Sequence, residues 1–319
     1  MPNYKNRKVA VLGLDGVPFS LLDNLCGKVM PNLDALRKQG FFKPIKASIP
    51  EISSVSWTSF MTGSNPGEHG IFGFMDFRPG TYQFRFPNYN DVKQPSIWDF
   101  LSEDGKSSII VNLPSTYPAR PVNGALISGF VAVDLAKAVY PKSLLPELLE
   151  IDYKIDMNLP RARQDVDYLF ESLYKEIEIR KSVVTKIMND INWSCMVLVI
   201  TGTDRLHHFL INAAKPDHPE YERFLDYYRQ VDELIGWFNQ IVSANADDDT
   251  LKIFLSDHGF SPLETEVNLN AILASNHYLK YSTQTPKTIQ EIGEGTKAFC
   301  LDPSRIYLRS EERRVGKEC

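Results

Sequence analysis

The sequence has no basic excess. Its 319 residues carry 35 Lys and Arg against 40 Asp and Glu, a net charge of -5. Nothing in that balance would track a phosphate backbone, so a DNA or RNA polymer is not the expected partner. Long apolar runs are missing too: the clearest, Met196–Ile200, is far short of the roughly 20 residues a membrane helix requires. The N-terminus passes from MPNYKNRK straight into VAVLGL, without the apolar segment and small-residue cleavage site of a secretory signal. A soluble, cytoplasmic protein is therefore expected. Cysteine is scarce, with four residues at 26, 195, 300 and 319 and no C-x-x-C spacing, which argues against a disulfide framework and a zinc–thiolate site alike. No internal repeat or low-complexity segment is evident. What remains is an ordinary globular make-up, 43% apolar and 24% charged, long enough for one large α/β domain or two smaller ones.

Strand-like and helix-like patterns alternate along the chain, which predicts a doubly wound, mostly parallel sheet with helices on both faces. Lys8–Leu14 is a nearly continuous apolar run, as expected of a strand buried on both sides. Pro31–Gln39 reads as a helix, with Pro at its start and Gly40 placed to end it. Ser107–Val111, Ala125–Ser128, Cys195–Thr201 and Leu251–Leu255 are further strands. Val166, Leu169, Phe170, Leu173, Ile177, Val184, Ile187, Met188 and Ile191 keep to one helical stripe, predicting a single amphipathic helix over about 164–191. Tyr221–Val242 reads as another. Pro and Gly cluster over 78–95 and 114–124, marking loops or the edges of a cap-like insertion within about 75–195. The acidic run Asp247–Asp249 reads as a solvated turn.

Three of the strands are followed by acidic residues: VAVLGL by Asp15-Gly16, MVLVITGT by Asp204, and KIFLS by Asp257-His258-Gly259. Ligands of an open parallel sheet bind beyond the carboxyl ends of its strands, so these side chains can converge on one crevice. An Asp in such a place can equally be the N-cap of the next helix. Asp204 and His208 are four residues apart, so on a helix both reach one ion. Asp257 and His258 are adjacent, which suits a loop. Carboxylate and imidazole donors without thiolates fit zinc or manganese, and two clusters on one sheet edge suggest two divalent ions acting on an in-line displacement at phosphorus. A nucleophile is then sought in SSVSWTSFMTG, residues 53–63. Its first hydroxyls also read as helix N-caps, and a helix start offers free N–H groups to an anion.

These blocks resemble a known family. PEISSVSWTSFMTGSNPGEHGIFGF, preceded by LGLDG and followed by TGTDRLHH and SDHG, is similar to the type I phosphodiesterase and nucleotide pyrophosphatase group of the alkaline phosphatase superfamily, in particular its branch of phosphohydrolases and phosphomutases. VNLPSTYPARPVNGALISGF resembles a further block of that branch. The resemblance implies one metal held by Asp15, Asp257, His258 and the Ser53 alkoxide, and another by Asp204, His208 and a later histidine. Ser53 is favoured over Ser54 and Ser56 by its distance from Thr62, and would form a phosphoseryl intermediate. The expected partner is a small-molecule phosphate ester. A phosphomutase on the same site, or a non-catalytic binding or scaffold domain that kept the fold, are the alternatives.

The pattern departs from the family in places. The later histidine has no counterpart, since His277 sits in NLNAILASNHYL, a helix and its end. Phe74 stands where nucleotide-cleaving members carry a phosphate-binding Asn. Val55 and Trp57 occupy the Pro and Arg positions of sulfatases, which sets that activity aside. His69 is expected to hold its loop by hydrogen bonds, and His207 to point away from His208. The last residues, RSEERRVGKEC, are what a common sequencing adapter would encode. The catalytic domain is thus expected to span 1–308 with its C-terminal part missing, 309–319 being non-native, and such a chain is expected to hold at most one ion firmly.

Overall fold

The computed structural model describes residues 7–309, apart from residues 79–80, 82, 246–248, 285, 287, 289–290 and 303–304. Asp247 and Asp248 of the acidic run, and residues 310–319 of the tail, lie outside the described residues. The strands are β1 (Val9–Leu14), β2 (Asp76–Phe77), β3 (Phe84–Arg85), β4 (Ser108–Leu113), β5 (Gly124–Ser128), β6 (Val139–Tyr140), β7 (Cys195–Ile200), β8 (Leu251–Leu255), β9 (Ala298–Asp302) and β10 (Arg305–Leu308). The helices are α1 (Phe19–Leu25), α2 (Pro31–Arg37), α3 (Ser53–Thr62), α4 (Pro66–His69), α5 (Ile97–Glu103), α6 (Leu145–Glu150), α7 (Leu159–Ala162), α8 (Val166–Asp190), α9 (Gly202–Leu210), α10 (Tyr221–Ala244) and α11 (Leu269–Ser275).

The central sheet has the order β6-β5-β4-β7-β1-β8. Its pairings are parallel except at the edge, where β6 runs antiparallel to β5. The near-continuous apolar strands follow from burial on both faces. Alternate residues of β1 and β7 enter different cores: Ala10, Leu12, Leu14, Met196, Leu198 and Ile200 pack with α2, α8 and α10. Val11, Cys195, Val197 and Val199 pack on the other side with Trp57 of α3 and Trp98 of α5. Helix α8 carries the predicted stripe, with Leu169, Phe170, Leu173, Ile177, Val184, Ile187 and Met188 buried. Each such side chain contributes about 1.5–3 kcal/mol relative to exposure.

The sheet order positions the site. In β7-β1-β8 the three strands are hydrogen-bonded neighbours, roughly 4.8 Å apart. The residues that follow their carboxyl ends, near Asp15, Asp204 and Asp257, are therefore brought side by side although nearly the whole chain separates them in sequence.

The described residues fall into two compact units, one drawn from those within 7–71 and 88–262, the other from those within 72–87 and 263–309. The first holds the central sheet. In the second, β9 pairs antiparallel with β10, and β2 pairs with β3. Phe77, Leu279 and Phe299 form its core, and the rings of Phe299 and Tyr307 stack at 5.3 Å. His277 follows α11 with φ at 62°.

Candidate functional site

Asp15 leaves β1 into a turn that only glycine tolerates. Gly16 has φ at +67°, and a Cβ there would stand 2.8 Å from Asp204 Oδ1. The Gly16 N–H donates to Asp257 Oδ1 at 3.0 Å, and the Thr203 hydroxyl donates to the Asp15 carbonyl at 2.6 Å. One tight turn thus ties the ends of β1, β7 and β8 together.

The carboxylate of Asp15 is 2% exposed. Its Oδ2 accepts from Trp57 Nε1 at 3.0 Å and its Oδ1 from the Ser53 hydroxyl at 3.2 Å. Ser53 also meets His258 Nε2 at 2.9 Å. On its far side His258 Nδ1 lies 2.8 Å from the Gly259 carbonyl. A carbonyl only accepts, so Nδ1 carries the proton and Nε2 turns a lone pair toward Ser53.

Helix α3 explains why Ser53 is free for this contact. Its N-cap is Ile52, which has no capping side chain, and Ser53 is the first helical residue. The Ser53 hydroxyl is spent on Asp15 and His258, and the N–H groups of Ser53 and Ser54 meet no acceptor among the described residues. Neither neighbouring serine competes: the Ser54 hydroxyl is buried without a partner, and Ser56 pairs with Ser48 at 2.7 Å.

Asp204 lies in the first turn of α9, where its Oδ1 is buried with no partner. His208 Nε2 stands 3.4 Å from Asp204 Oδ2, one helical turn on, with its side chain 57% exposed. Asp257 Oδ2 is also buried without a hydrogen bond and lies 3.5 Å from His258 Nε2. Donor atoms of Asp15, Asp204 and His258 all fall within 4.8 Å of one another. That trio draws on both of the ligand sets expected from sequence. Burial, then the charges of Asp257 and Asp204, push the Asp15 carboxyl well above its ordinary range; burial pushes Asp257 up as well. Buried carboxylates that repel one another and leave two oxygens unsatisfied are the environment a divalent cation relieves, so these residues fit a metal.

Several supporting residues escaped the sequence reading. Trp57 is fully buried, and its indole N–H orients Asp15. Gly13 makes room for it, since a Cβ there would meet the Trp57 ring at 2.4 Å. His207 and His208 both pack against the ring of Phe260, at 5.4 and 5.0 Å between centroids, but the nitrogens of His207 are engaged elsewhere. His207 meets the Gly16 carbonyl through Nδ1 at 2.9 Å and the Tyr228 hydroxyl through Nε2 at 2.8 Å, so it braces the turn that carries Asp15; burial lowers its pKa to about 4. Arg205 donates to Asp204 Oδ2 at 2.9 Å and grips Asp156 with Nε and Nη2, the shortest bond being 2.7 Å. Its place beside Asp204 was the available signal, but its partner, 49 residues away, has no motif.

If Asp156 keeps Arg205 from closing fully on Asp204, Asp156→Asn is expected to lower zinc affinity about 10-fold. Calorimetric zinc titration checks this, and unchanged affinity would leave Arg205 no such role. A separate expectation concerns His69, which is fully buried. It meets Ser59 through Nε2 at 3.0 Å and accepts from the Ile71 N–H through Nδ1 at 3.1 Å. Burial lowers its pKa to about 4, against about 6.5 unfolded. Its folded form thus resists a proton that the unfolded chain accepts, so its contribution is complete above about pH 6.5 and is lost as pH falls toward 4. Between pH 7 and 5 that loss is about 1–2 kcal/mol. Chemical denaturation should show a correspondingly flatter pH dependence in His69→Gln, and parallel curves would contradict the assignment.

With the geometry in view, the sequence matches the type I phosphodiesterase / nucleotide pyrophosphatase family over residues 9–317. The chain belongs to that family. Its fold is similar to phosphonoacetate hydrolase from Sinorhizobium meliloti 1021, solved with phosphonoformate, at a TM-score of 0.59 and 16% identity over 84% of this chain and 61% of that one. It is also similar to an inactive variant of murine ectonucleotide pyrophosphatase / phosphodiesterase 5, solved with AMP, at 0.56 and 14% over 88% and 64%. The chain thus spans less than two thirds of the length of either. No curated protein sequence matches it. Among the described residues, no helix is long and apolar enough to cross a membrane.

Proposed function

We propose that this chain carries the catalytic site of a metal-dependent phosphoric ester hydrolase in which Ser53 is the nucleophile. The observation behind this reading is the Ser53 hydroxyl held between Asp15 and His258, 3.2 and 2.9 Å away, beside two buried carboxylate oxygens without partners. Asp15, Asp257, His258 and Ser53 would hold one divalent ion, and Asp204 with His208 would contribute to a second, with zinc the first choice and manganese the other. Bound cations would acidify the serine and offset the charge of the transferring phosphoryl group.

The chain's own residues account for the rest. His258 is oriented by the Gly259 carbonyl so that its Nε2 lone pair faces the site, where it would hold the ion, and Asp15 Oδ1 accepts the one proton of the Ser53 hydroxyl. The unengaged N–H groups of Ser53 and Ser54 offer donors to phosphoryl oxygens at the start of α3. Ser53 Oγ bonds to phosphorus as the ester P–O bond breaks and the alcohol departs. Water then cleaves the phosphoserine, releasing free phosphate when the substrate was a monoester and the remaining monoester when it was a diester. No Ser-His-Asp triad is needed.

The test is zinc-loaded or manganese-loaded protein against a panel of phosphate monoesters and diesters. Free phosphate and isomerised product are measured separately, and acid-quenched protein is searched for phosphate on the Ser53 peptide. Free phosphate from a monoester, or an alcohol and a phosphate monoester from a diester, with the phosphoryl group on Ser53 supports the reading. Isomerised product without free phosphate would replace it with a mutase, and the absence of metal binding with no turnover would leave a binding domain.

A further inference from the structure

A cavity of about 740 Å³ is not lined by the metal cluster. It lies between residues 152–160 and the first half of α8, and its size is in the range of small-molecule sites. Ile155, Met157, Leu159 and Ile179 give it apolar walls. Three cations line it as well. Lys154 and Lys175 share a single carboxylate, Asp152, at 2.5 and 3.2 Å, leaving that group net positive.

The third cation is Arg180, which is 1% exposed and has no ion-pair partner among the described residues. All of its hydrogen bonds come from Nη2 and go to neutral acceptors: Asn112 Oδ1 at 3.2 Å, the Lys154 carbonyl at 2.7 Å and the Ile155 carbonyl at 3.2 Å. Its Nε is buried without a partner, and its guanidinium lies 4.0 Å from the Tyr153 ring centroid. The acids on the wall are engaged elsewhere or out of its reach. Asp156 is held by Arg205, Glu176 Oε1 accepts from Asn112 Nδ2 and from the N–H and hydroxyl of Thr201, and among the described residues neither Glu176 nor Glu171 forms an ion pair with Arg180. A buried guanidinium is costly unless an anion reaches it.

We propose that this cavity binds a small organic carboxylate, its head drawn to the Arg180, Lys154 and Lys175 end and its apolar body lying along Ile155, Met157, Leu159 and Ile179. The planar guanidinium favours a carboxylate over a compact ammonium-binding chemistry. Ser53, Asp15, Asp257 and His258 are not in its lining, although its Asp156 is held by the same Arg205 that donates to Asp204, and it can be tested with no metal present.

The experiment is isothermal titration of the whole chain in EDTA with sodium hexanoate, and with hexylammonium as the charge-reversed probe. Hexanoate is expected to saturate one site and to bind at least 10-fold more tightly than hexylammonium. Met157→Trp, which fills the cavity, should weaken hexanoate at least 10-fold. Lys175→Met, at a side chain 54% exposed and therefore not needed for folding, should weaken it about 3-fold. Ser53→Ala should leave it unchanged, separating this site from the serine centre. The proposal is overturned if hexylammonium binds as well as hexanoate, if hexanoate does not bind, or if both cavity variants bind it as the parent does.

Discussion

Ser53→Ala is expected to lower kcat for phosphate-ester hydrolysis by at least about 10³-fold, as deletion of an attacking group does elsewhere, and to abolish the phosphorylated peptide. The fold should survive the change. Ser53 is the first residue of α3 but not its cap, so no capping bond is lost; only the bonds to Asp15 and His258 go, at a cost of about 1–2 kcal/mol. Ser54→Ala and Ser56→Ala are the controls. The Ser54 hydroxyl is buried without a partner, and removing it should be neutral or mildly stabilising; Ser56→Ala loses only the bond to Ser48. Both should keep activity within a few fold. Steady-state kinetics of the three variants decide the matter: if Ser54→Ala abolished turnover and Ser53→Ala did not, the nucleophile would be misassigned.

Asp15→Asn should separate stability from metal binding. In the metal-free protein Asp15 is a buried carboxylate pressed by two others, and the raised pKa shows that its charge opposes folding at neutral pH. Asparagine removes that charge while keeping an acceptor for the Trp57 N–H. Metal-free Asp15→Asn is therefore expected to be more stable by about 1–3 kcal/mol, read as a Tm rise of about 2–4 °C per kcal/mol. Zinc should tell the opposite story: the parent gains stability by mass action, whereas the variant loses zinc affinity by at least about 100-fold and its Tm stops responding. Thermal denaturation with and without zinc checks both halves. A variant that is less stable without metal and still responds to zinc would show that Asp15 is a structural carboxylate.

How legible the site was depended on where each residue's partner lies. Asp204 and His208 are one helical turn apart, and local geometry alone placed them together. Asp15, Asp204 and Asp257 each followed a recognisable apolar strand, so their convergence could be expected from the general behaviour of parallel sheets. Arg180 left a signal that was passed over: it falls in the apolar stripe of α8, three residues after Ile177 and four before Val184. Asp156 left none, because its meaning comes only from Arg205.

The sequence by itself determined the alternation of strands and helices, the two-sided burial of β1, and the residue types available for chemistry, because hydrophobic period and strand-end position are local properties of the chain. Tertiary structure alone decided that β7, β1 and β8 are neighbours, that one serine of three faces Asp15 and His258, and that Trp57, His207 and Arg205 hold the acidic residues in place. Those facts depend on sheet order and on contacts between distant segments. No window of neighbouring residues contains that information.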